Sequence, residues 1–274
     1  MSYIDNLFSA KGKVIVFTGG AGILSSALAA GLGKAGATII LTDIIPLEES
    51  IRKLSDLGIS AYGYSMDVLD RKNVETVSQM IAKKHGKIDV LLNAAGGNCK
   101  EATTSDDVSF FDLPLEPLQK VIFLNLFGGS IIPSQVIGKI MVKNPIGGNI
   151  INFSSMAAFR PLTRTIGYSA AKASISNFTE WLAVYIAQNY TPKVRVNALA
   201  PGFFATNQNQ YLLYKEDGNL TPRGEAIIKH TPVGRFGDPD DLISTVLWLI
   251  SPASQFITGV VVPIDGGFHA YSGV

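Results

Sequence analysis

Ser155, Tyr168 and Lys172 are the residues whose types and spacing could do chemistry. Tyr168 and Lys172 stand four apart in Tyr-Ser-Ala-Ala-Lys, at the start of a long helical pattern, so both project from one helical face. The pair Ser154-Ser155 closes a short apolar run, Ile150 to Phe153, and Ser155 lies 13 residues before the tyrosine (168 − 155). A run apolar at every position reads as a parallel strand buried on both faces. A phenol and an ammonium facing a serine hydroxyl form a proton-transfer device. An unperturbed tyrosine titrates near about 10, too high for a base at neutral pH. A unit charge roughly 4 Å away is worth about 4 kcal/mol at an effective dielectric near 20. At about 1.36 kcal/mol per pH unit, the lysine is expected to lower the phenol by roughly three units. A Tyr and a Lys one turn apart are common on amphipathic helices; the serine and the surrounding elements set this pair apart.

Those elements begin near the N-terminus. Lys13 to Phe17 is a β-rich run, followed by Thr18-Gly-Gly-Ala-Gly-Ile-Leu-Ser-Ser and a helical pattern ending near Gly36. Strand, glycine-rich turn and helix start together form a phosphate cradle, because glycines admit a pyrophosphate to the backbone and the helix N-terminus binds its charge. Gly19, Gly20, Gly22, Ile23 and Ser25 are the expected cradle. Ser25 either adds a hydroxyl to a phosphate or caps the helix. A second strand, Thr38 to Thr42, ends in Asp43, which is placed to accept hydrogen bonds from the ribose hydroxyls of an adenosine and to repel a 2′-phosphate. Ile44 and Ile45 supply no cation after it, so NAD is expected over NADP. Further strands are expected at Ala61–Ser65, Ile88–Leu92, Lys193–Leu199 and Thr258–Asp265, with helices at 71–85, 118–142, 168–188 and 239–250. Strands and helices alternate without a linker. That predicts an α/β chain of one domain over residues 1–274, a doubly wound Rossmann fold with seven parallel strands and helices on both faces.

The chain has 274 residues, 47% hydrophobic and 16% charged, with a formal net charge of +1. A charged fraction well under the usual quarter suits a sheet covered on both faces and apolar surface hidden in an oligomer. The balanced charge offers no footprint for nucleic acid or an anionic membrane. The one cysteine, Cys99, excludes an internal disulfide and suits a reducing compartment. The N-terminus lacks a basic start and an apolar core, and no apolar run is expected to reach the roughly 18 residues of a membrane span. A cytoplasmic protein without a metal site is the expectation.

Six motifs in order resemble the short-chain dehydrogenase/reductase family over nearly the whole chain: Thr18-Gly19, Asp67-Val68, Asn93-Ala94-Ala95-Gly96, Asn125-Leu-Phe-Gly128, Ser155/Tyr168/Lys172 and Pro201-Gly202-Phe203-Phe-Ala-Thr206. The glycine loop departs from the family's TGxxxGxG, with Ile23 and Ser25 where the later glycines belong. The resemblance implies a catalytic set of Asn125, Ser155, Tyr168 and Lys172. Ser155, not Ser154, would hold the substrate oxygen, Tyr168 would move its proton, Lys172 would also hold the nicotinamide ribose, and Asn125 would bend its helix and hold a relay water. It further implies adenine contacts at Asp67 and Val68, cofactor contacts at Asn93, Ala94, Gly96, Pro201, Gly202, Phe203 and Thr206, a substrate lid over about 203–233, and a homotetramer or homodimer.

Several longer stretches, including SNFTEWLAVYIA, PGFFATNQNQYLL and DGGFHAYSGV, resemble the branch of that family acting on D-mannonate and D-fructuronate with NAD. Another sugar-acid or polyol activity, such as gluconate 5-dehydrogenase, is the alternative within the class, and a non-catalytic NAD sensor the alternative outside it. A sugar acid calls for one cation and several hydrogen-bonding side chains. Asn98, Arg160, Arg164 and Asn207 border the expected pocket, with Arg164 favoured for the carboxylate by its proximity to Tyr168. For either arginine a solvated salt bridge is an equal alternative.

Overall fold

The computed structural model describes residues 2–205 and 210–273. In chain order the strands are β1 (Val14–Thr18), β2 (Thr38–Asp43), β3 (Ala61–Ser65), β4 (Val90–Asn93), β5 (Gly148–Phe153), β6 (Val194–Pro201) and β7 (Val261–Ile264). The helices are α1 (Tyr3–Leu7), α2 (Ile23–Lys34), α3 (Glu48–Asp56), α4 (Arg71–His85), α5 (Leu115–Ile122), α6 (Ile132–Met141), α7 (Ile166–Asn189), α8 (Gln210–Leu213), α9 (Pro222–Lys229) and α10 (Ile243–Ile250). A π-helical turn, Phe123–Ile131, joins α5 to α6.

Among the described residues the strands form one sheet in the order β3-β2-β1-β4-β5-β6-β7, every pairing parallel. Successive side chains of a strand point to opposite faces, and β1 shows the consequence. Ile15 and Phe17 join one buried cluster with Leu28 and Leu32 of α2, while Val14 and Val16 join the other with Val74, Val77 and Ile81 of α4. All residues of β1, β5 and β6 are buried, as a sheet covered on both faces requires. Strand order reverses direction between β1 and β4, and a doubly wound sheet opens its ligand crevice at that point, beyond the strands' C-terminal ends.

Two expectations need correction. The continuous helical stretch Leu115–Met141, 27 residues, is long and apolar enough by length and composition to cross a membrane, where none was expected. More than half of its most apolar window, 56%, is buried inside the fold, against α4, α7 and the sheet, as for a core helix. The segment after β6, whose polar composition over 207–230 predicts an irregular lid, carries α8 and α9 with a small core of their own built on Leu213, Ile227 and Phe236. Thr221 caps α9 by accepting from Gly224 N, and Pro222 opens it, a start signal that was legible in the sequence.

Candidate active site

A cleft of about 340 Å³ opens at the reversal point, between the N-terminus of α2 and the start of α7. Gly19 makes its floor possible. Its φ of +64° is left-handed, and a side chain there would place Cβ 2.8 Å from Cα of Ala95, so β1 and β4 approach each other here only without one. Gly22 is the N-cap of α2 and offers no side-chain acceptor. Ile23, Leu24 and Ser25 of the first turn line the cleft, and a helix start of this kind, its first N–H groups without intrahelical partners, is suited to a phosphate. Ser25 is buried inside the first turn, beside the cleft; the N-cap is Gly22, so Ser25 does not cap the helix.

The opposite wall carries Ser155, Tyr168 and Lys172. Ser154 and Ser155 separate clearly in their surroundings. Ser154 Oγ bonds Lys172 O at 3.0 Å and Ser176 Oγ at 2.7 Å, which pins α7 to the end of β5. Ser155 Oγ accepts from Ala157 N at 3.1 Å and lies in hydrogen-bonding contact with Tyr168. Burial pushes the Tyr168 phenol above its ordinary 10.0, and the bond to Ser155 draws it partly back. This overturns the expectation that Lys172 lowers it by roughly three units. The reason lies in Lys172 itself. The same burial holds its ammonium down to about 8, from 10.5, and Nζ donates to Phe153 O at 2.7 Å, 5.4 Å from the centre of the Tyr168 ring. A charge 5.4 Å from the centre of the ring is not a charge beside the hydroxyl.

Asn125 lies inside the π turn and is fully buried. Its Nδ2 donates to Gly97 O at 2.6 Å and Val121 O at 2.8 Å, while Oδ1 accepts from Gly97 N at 3.2 Å. Both amide hydrogens are thus committed to backbone, and the side chain braces the loop after β4 against the helix. A π turn frees i→i−4 carbonyls, and such turns recur at functional sites. Asn93 ties strands together: Nδ2 donates to Asn152 Oδ1 and Ser134 Oγ, and Asn152 in turn donates to Thr179 on α7.

Asp43, at the tip of β2, accepts from Ala21 N at 3.0 Å and from Ile45 N at 3.1 Å. Its carboxylate therefore braces the glycine loop, and the exposed Ile44 and Ile45 follow it. Asp67 and Val68 sit beyond the end of β3, with Asp67 Oδ1 accepting from Leu69 N and Val68 buried; neither lines the cleft. Ala94, Gly96, Pro201, Gly202 and Phe203 all line it, joined by Leu24, Gly97 and Phe204, which sequence reasoning missed. The glycine and aromatic neighbours of the motifs were the available signal.

The substrate candidates fare differently. Arg164, the favoured carboxylate partner, is corrected: its Nη2 donates to Asp106 Oδ1 at 2.8 Å in an exposed ion pair away from the cleft lining. Asn98 is exposed and donates to Thr103 Oγ1. Arg160, exposed, donates through Nε to His269 O at 3.0 Å. Thr206 and Asn207 lie outside the described residues.

A parallel doubly wound sheet, an uncapped helix start at its reversal point, and a serine–tyrosine–lysine wall across the cleft define an oxidoreductase that uses a nicotinamide dinucleotide. The profile of a family described as Enoyl-(Acyl carrier protein) reductase matches residues 21–269. The uncharacterized oxidoreductase UxuB of Bacillus subtilis (strain 168) is 43% identical over 96% of this chain and 97% of its own. The 5-keto-D-gluconate 5-reductase of Escherichia coli (strain K12) is 33% identical, covering 96% of this chain and 98% of its own. A solved Haemophilus influenzae structure with bound NAD, provisionally assigned as a D-mannonate oxidoreductase, superposes with a TM-score of 0.90 at 40% identity, covering 99% and 100% of the two chains. The chain belongs to the short-chain dehydrogenase/reductase family.

Proposed function

We propose that this enzyme interconverts D-mannonate and D-fructuronate with NAD as its cofactor. The observation that carries the substrate is the end-to-end likeness, at a TM-score of 0.90, to the Haemophilus structure assigned to D-mannonate and holding NAD. Asp43, followed by two exposed isoleucines rather than a cation, supports NAD over its 2′-phosphorylated form.

The residues present fit a dinucleotide: the start of α2 would take its pyrophosphate, and Ser155, Tyr168 and Lys172 would border its nicotinamide end. Bound there, the cofactor supplies or accepts the hydride. Ser155 Oγ, already accepting from Ala157 N, donates to the substrate oxygen and fixes it beside Tyr168. With its pKa raised, Tyr168 holds its proton at neutral pH and gives it to the oxygen of a ketone being reduced. In the reverse direction the same phenol must first lose that proton, so oxidation calls for higher pH. Lys172, held by Phe153 O, keeps further ammonium hydrogens for the cleft it lines.

A second reading, reduction of 5-keto-D-gluconate, draws support from the Escherichia coli relative. NADH and NADPH oxidation, followed by absorbance, with D-fructuronate and 5-keto-D-gluconate in parallel, separates the two. A kcat/KM at least tenfold higher for D-fructuronate with NADH is expected; a reversal of either preference refutes the corresponding half of the proposal. The homotetramer expected from the family resemblance is kept as part of the proposal. It draws support from a row of exposed aromatic side chains on and just beyond α7, where Trp181 and Tyr185 stack at 4.8 Å and Tyr190 follows. Sedimentation of the purified protein as a monomer would refute it.

A further inference from the structure

We propose that Arg160 is the receptor for the substrate's carboxylate and that the C-terminal turn, residues 265–271, is the element that holds it in place. This rests on the sugar-acid reading above and assigns the acid end of that substrate.

The argument begins with what Arg160 touches. Arg160 N bonds Met156 O at 3.0 Å, so the residue closes the short helical turn that starts at Ser155. Its Nε donates to His269 O at 3.0 Å, and the Phe159 ring lies 5.2 Å from that of His269. The turn carrying His269 is fixed from inside. The Asp265 side chain, 4% exposed, accepts from Gly267 N at 2.9 Å, and from His269 N and Nδ1 at 2.8 Å each. That turn also presses on the other side of the cleft. A Cβ on Gly202 would stand 2.6 Å from Asp265 Cα, and the Phe268 ring lies 5.2 Å from Phe203. Both Gly202 and Phe203 line the cleft. Arg160 stands outside the cleft lining itself, tied through His269 to the turn that packs against Gly202 and Phe203.

The remaining arginines are committed or remote. Arg52, Arg71, Arg164 and Arg235 have carboxylate partners, Arg195 is buried on the carbonyls of Ile257 and Leu249, and Arg223, in the first turn of α9, makes no bond to either cleft wall among the described residues. Arg160 has no carboxylate partner among the described residues, and its two terminal nitrogens make no bond there. Anchored by Nε alone, the planar fork keeps the pair of donors that meets a carboxylate end-on. Pre-anchoring also removes part of the rotamer entropy that an arginine loses on binding. In D-fructuronate the carboxylate is several carbons from the ketone, so a cation at the rim, not beside Tyr168, is the one it can reach.

The test compares D-fructuronate with D-fructose, the same ketose carrying a hydroxymethyl group in place of the carboxylate, using NADH and the full-length enzyme. Arg160→Ala is expected to lower kcat/KM for D-fructuronate by about ten- to a hundredfold more than for D-fructose, chiefly through KM. Arg160→Lys, which keeps charge but lacks both the Nε anchor and the fork, should recover only part of the loss. His269→Ala leaves the backbone carbonyl and the two backbone bonds to Asp265 in place but removes the imidazole bond to Asp265 and the ring packed on Phe159. It should raise KM for D-fructuronate severalfold, and His269→Asn, whose amide can still reach Asp265, should restore it. In the Arg160→Ala background His269→Ala should add nothing further to the acid-specific loss. Equal losses on both ketoses, or none on either, overturn the proposal while leaving the sugar-acid reading standing. A wild-type enzyme with no preference for the acid overturns the sugar-acid reading, and this inference falls with it.

Discussion

Lys172 Nζ stands 5.4 Å from the centre of the Tyr168 ring and donates to Phe153 O, so the lysine is held by the strand that carries the serine pair. The tyrosine is consequently governed by burial and by Ser155, and it keeps its proton near neutrality. Replacing Tyr168 by Phe removes the donor while keeping the ring on which the wall packs. We expect kcat to fall by about a hundredfold or more, with NADH affinity, read by fluorescence titration, changed less than about threefold. Activity within tenfold of wild type would refute the assigned proton donor.

The buried ammonium makes a second, independent prediction. Lys172 titrates at about 8 in the folded chain against 10.5 for an ordinary lysine. Its folded-state pKa is lowered, so between those values the unfolded chain binds more protons, and stability attributable to this group rises with pH across that window. Below about 8 both states are charged and the full penalty of burying the charge, about 3 kcal/mol, applies. Thermal unfolding of the cofactor-free protein should therefore show a rise in Tm from about pH 8 upward that is absent in Lys172→Met. Parallel pH curves for the two proteins would show that Lys172 is charged throughout.

Asp43 should divide its two duties cleanly. Asn at this position keeps one acceptor, enough for Ala21 N or Ile45 N but not both, and loses the charge that opposes a 2′-phosphate. Asp43→Asn is expected to reduce the ratio of kcat/KM for NADH over NADPH by about tenfold, with a smaller loss of Tm than Asp43→Ala. Asp43→Ala also strips the acceptor from Ala21 N and Ile45 N, and should lose about 1 kcal/mol of stability in addition. A wild-type enzyme that uses both cofactors equally would remove the basis for this reading.

What the sequence could and could not disclose follows from the range of the interactions. The central strands were legible because β1, β4, β5 and β6 are buried on both faces, and Ala61–Ser65 and helix 71–85 also fall where expected. Ser155, Tyr168 and Lys172 were legible because a strand end and one helical turn fix their spacing. Arg164 was misread because its partner, Asp106, is 58 residues away in the chain, and no local pattern reveals such a pair. His269 went unnoticed for the same reason: its contact with Arg160 spans 109 positions. The lowered pKa of Lys172 was out of reach because it depends on how completely the surroundings close over it.

Asn125 and Gly96 provide the sharpest test of how the cleft is built. A Cβ at Gly96 would stand 2.6 Å from Asn125 Oδ1 and 3.7 Å from Lys172 Nζ, so the two positions compete for one small space. Asn125→Ala leaves the carbonyls of Gly97 and Val121 and the N–H of Gly97 without their partner, which should cost about 2 kcal/mol or more. Gly96→Ala alone should also destabilise, by forcing the amide off those same backbone groups. Because both substitutions break one network, the double variant should be more stable than the sum of the single losses by about 1 kcal/mol. Tm values of the four proteins, with kcat measured alongside, complete the cycle. The same coupling should appear in kcat, since the loop that Asn125 holds carries Gly96 and Gly97 along the cleft. Additive losses would mean that the alanine at 96 is accommodated by movement elsewhere and that Asn125 is not what sets the position of this loop.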